Sequence, residues 1–480
     1  MGTAIRNVAV VDIGKTNAKV VVYDLDHQCE LAALTMPNRV SMDGPYPHFD
    51  TDALWDFVLA SLAELSRDHP VDAISVTTHG ASIALVDADD LALPVIDYEF
   101  PLDPETLADY RAIRPDFAET QSPPLPGGLN VGAQLFYLER HFPNRFAAAS
   151  ILTYPQFWAW KLCGVMACEV TQLGAHTDLW CPAERRFSSL VEGQGWGEKF
   201  APLRSAFDRL GDLKPEIRAA MPGEAPIPVY CGIHDSNASL LPHLIGRQGA
   251  FTVVSTGTWA IVFAVGGKAG QLDPARDTLA NVDAFARPVP SARFMAGREF
   301  AAMAGDAPGE ADHGSAEAVI AKGVMALPSF ARGTGPFAER EGEWTVDPAG
   351  LSKAERTAAA SLATALTTSV CLELVGAEGP IIVEGPFGRN GVYCDALAEL
   401  SGRSVEAKTG LSGTSAGAAL LARGQDAPAL PDGSVSGSAA ATASAGRPIR
   451  GLAAYGQAWR RRVAEDGQAE MSAPSRGARG

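Results

Sequence analysis

The stretch VAVVDIGKTNAKVVVYD, residues 8–24, ends a β-branched run on Asp12 and follows it with Gly14, Lys15, Thr16 and Asn17. A Walker phosphate loop needs a glycine five residues before its Gly-Lys-Ser/Thr, and a helix after it. Position 9 is Ala, and the residues after Thr16 continue as a β-branched run, so neither condition is met. What remains is a glycine-turned hairpin. Gly14 admits a polyphosphate close to the backbone, and successive N–H groups of such a turn form an anion nest beside Lys15. Thr16 and Asn17 add further donors. Asp12, at the strand end, suits a hydrated Mg²⁺, which keeps most of its waters and takes few carboxylates. A plain polar turn explains the same residues.

A second turn of this kind, Ser255-Thr256-Gly257-Thr258, lies in GAFTVVSTGTWAIVFAVGG. VVDIGKT laid over VVSTGTW shares Val-Val-x-x-Gly, and a hairpin recurring at this distance predicts a duplicated domain. One donor-rich turn per domain would grip the β- and γ-phosphates from opposite sides. Between the turns, GIHDSNA puts Asp235 after a strand and at the start of a helix, where its carboxylate projects from the edge of a sheet. A carboxylate there can take the proton of a hydroxyl attacking a terminal phosphate, worth about 10²–10⁴ in rate. A helix cap is the alternative for Asp235, and His234 suits either substrate orientation or a structural role. VEGPFGRNG (383–391) offers Gly385 as a flat seat for adenine or ribose, with Arg389 and Asn390 nearby; an ordinary strand-to-helix loop fits equally. GTSAGAALLA (413–422) has small residues at a helix start, suited to close approach or to tight packing.

The elements around these motifs alternate. From Asp52 as N-cap, apolar residues recur at helical spacing through Leu54, Val58, Leu62 and Leu65. VDAISVTTHG reads as a buried strand ending at His79 and Gly80, and IALVDADD as a strand running into an acidic turn. This order predicts an α/β sandwich with a largely parallel sheet. Residues 100–130, rich in Pro and Gly, read as irregular; AQLFYLERHFPNRF and YPQFWAWKLCG read as helices, the second capped by Gly164. The second half repeats helix, strand and turn. Residues 431–446 read as a linker, and a last helix leads to a disordered tail.

The chain has 480 residues, enough for two sizeable domains, with a formal net charge of −17. That balance argues against nucleic-acid binding, which needs a basic face. The longest apolar runs are too short to span a bilayer, and no secretory signal opens the chain, so membrane association is not expected and a cytoplasmic location is. Seven cysteines without paired metal-ligand spacing read as reduced, mostly buried thiols.

Taken together and in order, these motifs resemble the FGGY carbohydrate kinases of the actin/hexokinase/Hsp70 superfamily, from about residue 7 to about residue 465. DIGKTNAKV resembles that family's first phosphate motif, VSTGTWAIV the second, and VEGPFGRNGVYCDALAELSG the adenosine motif. GIHDSNASL resembles the segment bearing the catalytic aspartate, here Asp235. Gly-Ile-His-Asp-Ser-Asn and Gly-Thr-Trp are closest to the L-fuculose and L-rhamnulose kinase branch. The resemblance implies two duplicated actin-like, ribonuclease H-like domains with mixed sheets flanked by helices and a cleft between them. The boundaries it suggests are 1–248, 249–465 and a tail at 466–480. It implies an ATP- and Mg²⁺-dependent kinase acting on the terminal hydroxyl of a 6-deoxyketohexose or ketopentose. Gly14, Lys15, Thr16, Asn17, Thr256, Gly257, Thr258, Gly385, Arg389 and Asn390 would bind nucleotide, and Asp12 with Asp235 the metal. His79, Gly80, Asp97, Glu99, Gln156, His234 and Asp235 would bind sugar, whereas Trp158 suits the core. VIDYEF replaces the family's Trp-x-Asp region, Gln156 replaces a carboxylate, and Glu384-Gly385 replaces a Gly-Gly pair.

Two other readings stand beside this one. A non-sugar ATPase of the superfamily needs no acceptor-hydroxyl base, and a sugar sensor needs neither base nor metal; both Asp12 and Asp235 are present here. The oligomeric state is open between monomer and homodimer.

Overall fold

In the computed structural model of the chain, the first β-branched run forms strand β1 (Asn7–Ile13). It turns into the antiparallel β2 (Asn17–Asp24), and β3 (Cys29–Pro37) extends the meander. The structure describes residues 5–88, 90–245, 247–268, 272–408, 413–425 and 446–471, the last six by backbone alone. Val8, Ala9, Val10, Val11 and Ile13 are buried on both faces of the sheet, which is why β1 is continuously apolar instead of alternating.

Helix α1 (Thr51–Asp68) buries Leu54, Val58, Leu62 and Leu65. Its cap is Asp50, which accepts the Ala53 N–H at 3.0 Å, and not Asp52 as expected. Asp52 falls in the first turn, where its charge suits the helix dipole. β4 (Ala73–Thr78), buried throughout, returns parallel to β1. β5 (Ile83–Val86), β6 (Leu91–Leu93) and β7 (Ser150–Thr153) form a separate antiparallel sheet in the order β6-β5-β7. Residues 100–130 are not all irregular: α2 (Pro104–Ile113) starts where Asp103 accepts the Thr106 N–H at 2.8 Å and Pro104 occupies the first helical position. Next come α3 (Val131–His141), α4 (Tyr154–Cys163) with Gly164 left-handed at its end, and the single turn α5 (Val170–Leu173). Trp158 on α4 lies in the core.

β8 (Arg209–Asp212), β9 (Pro228–Tyr230) and β10 (Ile233–His234) complete the first sheet, in the order β8-β9-β4-β1-β2-β3 with β10 beside β4. The sheet is mixed, not largely parallel, because hairpins can only be antiparallel; the parallel pairs are the crossovers onto β4. Helix α6 (Asp235–Leu244) leaves β10 directly.

The second sheet repeats the pattern. β11 (Phe251–Thr256) and β12 (Ala260–Val265) form the hairpin, followed by β13 (Pro288–Phe294), the long α7 (Lys353–Leu374), β14 (Ile381–Glu384), α8 (Gly391–Ser401) and β15 (Val405–Lys408). Five of its six strands run in the order β13-β12-β11-β14-β15, with β11 parallel to β14. In both sheets the hairpin's first strand is flanked by its partner and by a parallel crossover strand. α7 is long and apolar enough, by length and composition, to cross a membrane, but 83% of its apolar window is buried inside the protein. α9 (Gly413–Leu420) and α10 (Leu452–Met471) close the described chain.

By contact, the described residues up to 248 form one compact unit with 280–289 and 413–425; the remainder forms the second. Two segments after 249 thus group with the first unit. α10 runs on beyond 465, while residues 472–480 and, of the expected linker at 431–446, all but Gly446 lie outside the described residues.

α9 packs on α6 at glycine distance: a Cβ on Gly417 would lie 1.7 Å from the Ala238 carbonyl oxygen, and one on Gly413 would lie 3.2 Å from that of Ser239. Gly417→Ala therefore forces the helices apart. Urea unfolding is expected to show a loss of about 2–3 kcal/mol, with a smaller loss for Gly413→Ala.

Candidate active site

The register of three strands gathers the polar residues of the first unit. Asp12 on β1 lies opposite Thr77 on β4, and Ile233 on β10 faces Thr77 from the other side. His79, one residue past β4, donates its N–H to the Ile13 carbonyl at 2.9 Å. Asp235, the first residue of α6, follows β10 at the same edge. Its Oδ1 accepts the Ser236 N–H at 2.5 Å and stands 3.3 Å from His234 Nε2, and its side chain keeps 33% of its exposure. Burial, then the Asp235 charge, push the Asp12 carboxyl up to about 7. Lys19, across from Asp12, does not neutralise it, because its ammonium sits on both oxygens of Glu30 at 2.6 and 2.7 Å.

Lys15 leaves the hairpin turn toward Asp97, with which it makes an ion pair, and stands 3.7 Å from Glu99. Its ammonium lies over the rings of Phe49 and Tyr98, 4.9 and 4.7 Å from their centroids. The Glu99 N–H donates to Asp97 Oδ1 at 3.2 Å. The Tyr98 hydroxyl is pushed above its ordinary range by burial and by the carboxylates Glu99, Asp235 and Asp97.

Both histidines are buried and neutral. Burial pushes His79 down to about 4 and lowers His234 as well. His79 Nδ1 bonds the Gly80 carbonyl at 2.8 Å, which leaves Nε2 as an acceptor with no partner among the described residues. Its ring rests against Phe49, Tyr98 and Tyr154, at 4.9, 5.6 and 5.2 Å. Gly80 makes room for the neighbouring histidine, since a Cβ there would meet His234 Nε2 at 2.7 Å. Aromatic faces beside acceptors and carboxylates are suited to a polyhydroxy ligand.

In the second unit the turn after β11 is sewn to the turn after β14. The Thr256 hydroxyl donates to the Glu384 carbonyl and accepts the Phe387 N–H at 3.2 Å. Gly385 has φ +81°, and a Cβ there would lie 2.0 Å from the Thr256 carbonyl oxygen. The Gly257 N–H closes its own turn onto Trp259, and Thr258 is exposed. The structure thus brings Thr256, Gly257 and Gly385 together.

Several expected ligand residues are otherwise engaged. Gln156 is fully buried and faces no ligand: its Oε1 accepts from Thr153 at 2.5 Å, and its Nε2 donates to the carbonyls of Cys231 and Gly232 at 2.9 and 3.2 Å. Asn390 caps α8 by accepting the Tyr393 N–H at 3.0 Å, and donates to Ser361 at 2.9 Å. The Gly14 N–H is spent on the Asn17 carbonyl at 2.9 Å, leaving a nest shorter than expected. Lys15 is held by carboxylates instead of standing free for phosphate. Thr16 and Asn17 are exposed. Phe49 and Tyr98 went unrecognised; for Tyr98 the signal was its place between Asp97 and Glu99, while Phe49 carried none.

Two units with the same hairpin-and-crossover sheet, and carboxylates at strand ends, define a two-domain actin-like kinase fold. Residues 8–242 match the N-terminal domain of the FGGY family of carbohydrate kinases, and residues 248–430 match the carbohydrate kinase FGGY C-terminal domain. A carbohydrate kinase from Novosphingobium aromaticivorans is 34% identical, with a TM-score of 0.87 over 97% of this chain and 100% of its own. A xylulose kinase from Rhodospirillum rubrum (21% identity, TM-score 0.75, 97% and 99% covered) shares the fold. So does a gluconate kinase from Lactobacillus acidophilus (14%, 0.75, 98% and 99%). No curated protein sequence matches the chain. The chain belongs to the FGGY family of carbohydrate kinases. It is accordingly a sugar kinase, with ATP as phosphoryl donor.

A histidine whose folded pKa lies below its unfolded value stabilises the fold above the ordinary 6.5 and loses that contribution as pH falls toward 4. Between pH 7 and 4.5, urea unfolding should show the wild type losing about 2 kcal/mol more than His79→Gln. Equal losses would mean that His79 is not held neutral by burial.

Proposed function

We propose that the acceptor is a ketose, a 6-deoxyketohexose or ketopentose, phosphorylated on its terminal hydroxyl with Asp235 as general base. The observation that carries this reading is the placement of Asp235. It is partly exposed at a helix start, and its charge acts on Asp12, His79 and Tyr98. Asp235 would take the hydroxyl proton as the sugar oxygen attacks the γ-phosphate. His79 Nε2 and His234 would orient sugar hydroxyls, with Asp97 and Glu99 accepting others. Phosphate contacts would fall to the exposed Thr16, Asn17 and Thr258, with Gly257 and Gly385 allowing close approach and Arg389 near the nucleotide.

Asp12 and Asp235 suit Mg²⁺ on the chemistry of the pair, since no protein cation neutralises Asp12. Among the described residues no three His, Cys, Asp or Glu side chains converge on one point, so waters and phosphate oxygens would complete the shell. When bound, the ion would offset negative charge on the transferring phosphoryl group. All seven cysteines are free thiols, which supports a reducing, cytoplasmic setting.

Coupled ADP release against a ketose panel tests the reading. Release without sugar would instead mark an ATPase, and none with any sugar would mark a sensor. Asp235→Asn should bind ATP as the wild type does yet turn over at least about a hundredfold more slowly. A near-normal rate removes Asp235 from the chemistry. Lys15→Gln, which frees Asp97 and Glu99 from their counter-ion, should raise the sugar KM about tenfold and leave the ATP KM within about twofold. The reverse pattern would return Lys15 to the phosphates.

A further inference from the structure

Glu169 is a fully buried carboxylate, and among the described residues no cation pairs with it. Its Oε2 accepts from the Thr171 N–H at 2.9 Å and from the Thr171 hydroxyl. Its Oε1 has no partner among the described residues. Burial pushes this carboxyl up to about 7, against the bonds from Thr171. Such a group costs folding free energy, and a cost of this kind is offset only by what its remaining bonds hold in place. As cap of the single turn α5, a shorter Asp, Ser or Thr would serve as well or better.

What depends on it is the segment that carries Asp235. The Thr171 hydroxyl, having given its proton to Glu169, accepts the His234 N–H at 3.1 Å. The Glu169 N–H donates to Thr153 Oγ1 at 3.1 Å, and Thr153 in turn donates to Gln156, which holds the carbonyls of Cys231 and Gly232. Both lines start at Glu169 and end on Cys231–His234. Between their end points Gly232, with φ +89°, passes β4 so closely that a Cβ would lie 2.5 Å from the Val76 carbonyl oxygen. The segment is thus fixed on one side by the sheet and on the other by the Glu169 lines, with Asp235 as its next residue.

We infer that Glu169 is a positioning residue: its carboxylate, through Thr171, fixes the backbone that aims Asp235, while its backbone N–H anchors the second line through Thr153 and Gln156. The inference rests on Asp235 being the base. A carboxylate does this better than an amide, because its charged Oε2 holds both Thr171 donors, the N–H and the hydroxyl, more strongly than a neutral amide oxygen would, and so keeps the hydroxyl oxygen directed at His234.

The test compares Glu169→Gln, Thr171→Val and the double variant in the full chain, by steady-state kinetics and by amide hydrogen exchange across residues 231–238. Each single change is expected to lower kcat at least about fivefold, with both KM values within about twofold. The double variant should be no worse than the poorer single, since both act on one line. Exchange at His234 should speed up in each. Wild-type kcat in both single variants, or fully additive losses, would overturn the inference. If Glu169→Gln does not fold, Thr171→Val alone decides it. If the wild type phosphorylates no ketose, the proposed function fails; unchanged exchange at His234 is the separate result that would sink the role of Glu169.

Discussion

Strand β1 runs parallel to β4 with Asp12 opposite Thr77 and Ile13 opposite Thr78, and β10 meets β4 at the same two residues. Because side chains alternate along a strand, that register decides which groups share a face, and a slip of one residue would turn Asp12 into the core. Everything polar in the first unit follows from it. His79 continues the ladder onto Ile13, His234 lies opposite Thr78, and Asp235 emerges one residue later. The buried apolar faces of β1 and β4 hold this register far more firmly than the polar residues could themselves.

The charges at that edge are unequal in a useful way. Lys19 is taken up by Glu30 and Lys15 by Asp97, so the pull of Lys19 on Asp12 is outweighed by burial and by the Asp235 charge. Burial and the nearby like charge raise the cost of ionising Asp12, and an added cation or a proton relieves it. The same edge holds a neutral histidine, because burial outweighs the nearby carboxylate. The His79 acceptor nitrogen therefore stands neutral against the rings of Phe49, Tyr98 and Tyr154 while Asp235 carries its carboxylate at the same edge.

The parts of this arrangement that were legible in the sequence are local. A glycine between two β-branched runs is a hairpin whatever surrounds it, and both hairpins form as their residues predict. Asp235 at a strand-to-helix junction is equally local. Partners distant in sequence left no such trace. Gln156 resembled a ligand residue by position, yet its amide is consumed by carbonyls 75 and 76 residues away. Asn390 sits in the nucleotide motif but caps a helix, a role its type always permits. Lys15 could not be assigned from its turn alone, because Asp97 lies 82 residues on. At α1 the competing caps Asp50 and Asp52 are separated by one residue, and backbone geometry chose between them.

The duplicated sheets also show how one scaffold is put to two uses. Superposing the hairpins sets Asp12 against Ser255 and Lys15 against Thr258. In the first unit the strand beside Asp12 presents Thr77; in the second, the strand beside Ser255 presents Glu384. The second unit's turn is closed by hydroxyl and glycine contacts between Thr256, Glu384 and Gly385, where backbone comes close. The first unit's turn is surrounded by ionisable groups held apart by sheet register. Duplication supplies a glycine turn in each unit, and the hairpin positions themselves differ in charge: Asp12 and Lys15 in the first, Ser255 and Thr258 in the second. The carboxylate of the first turn sits on the hairpin strand itself, at Asp12, whereas that of the second sits on the neighbouring crossover strand, at Glu384.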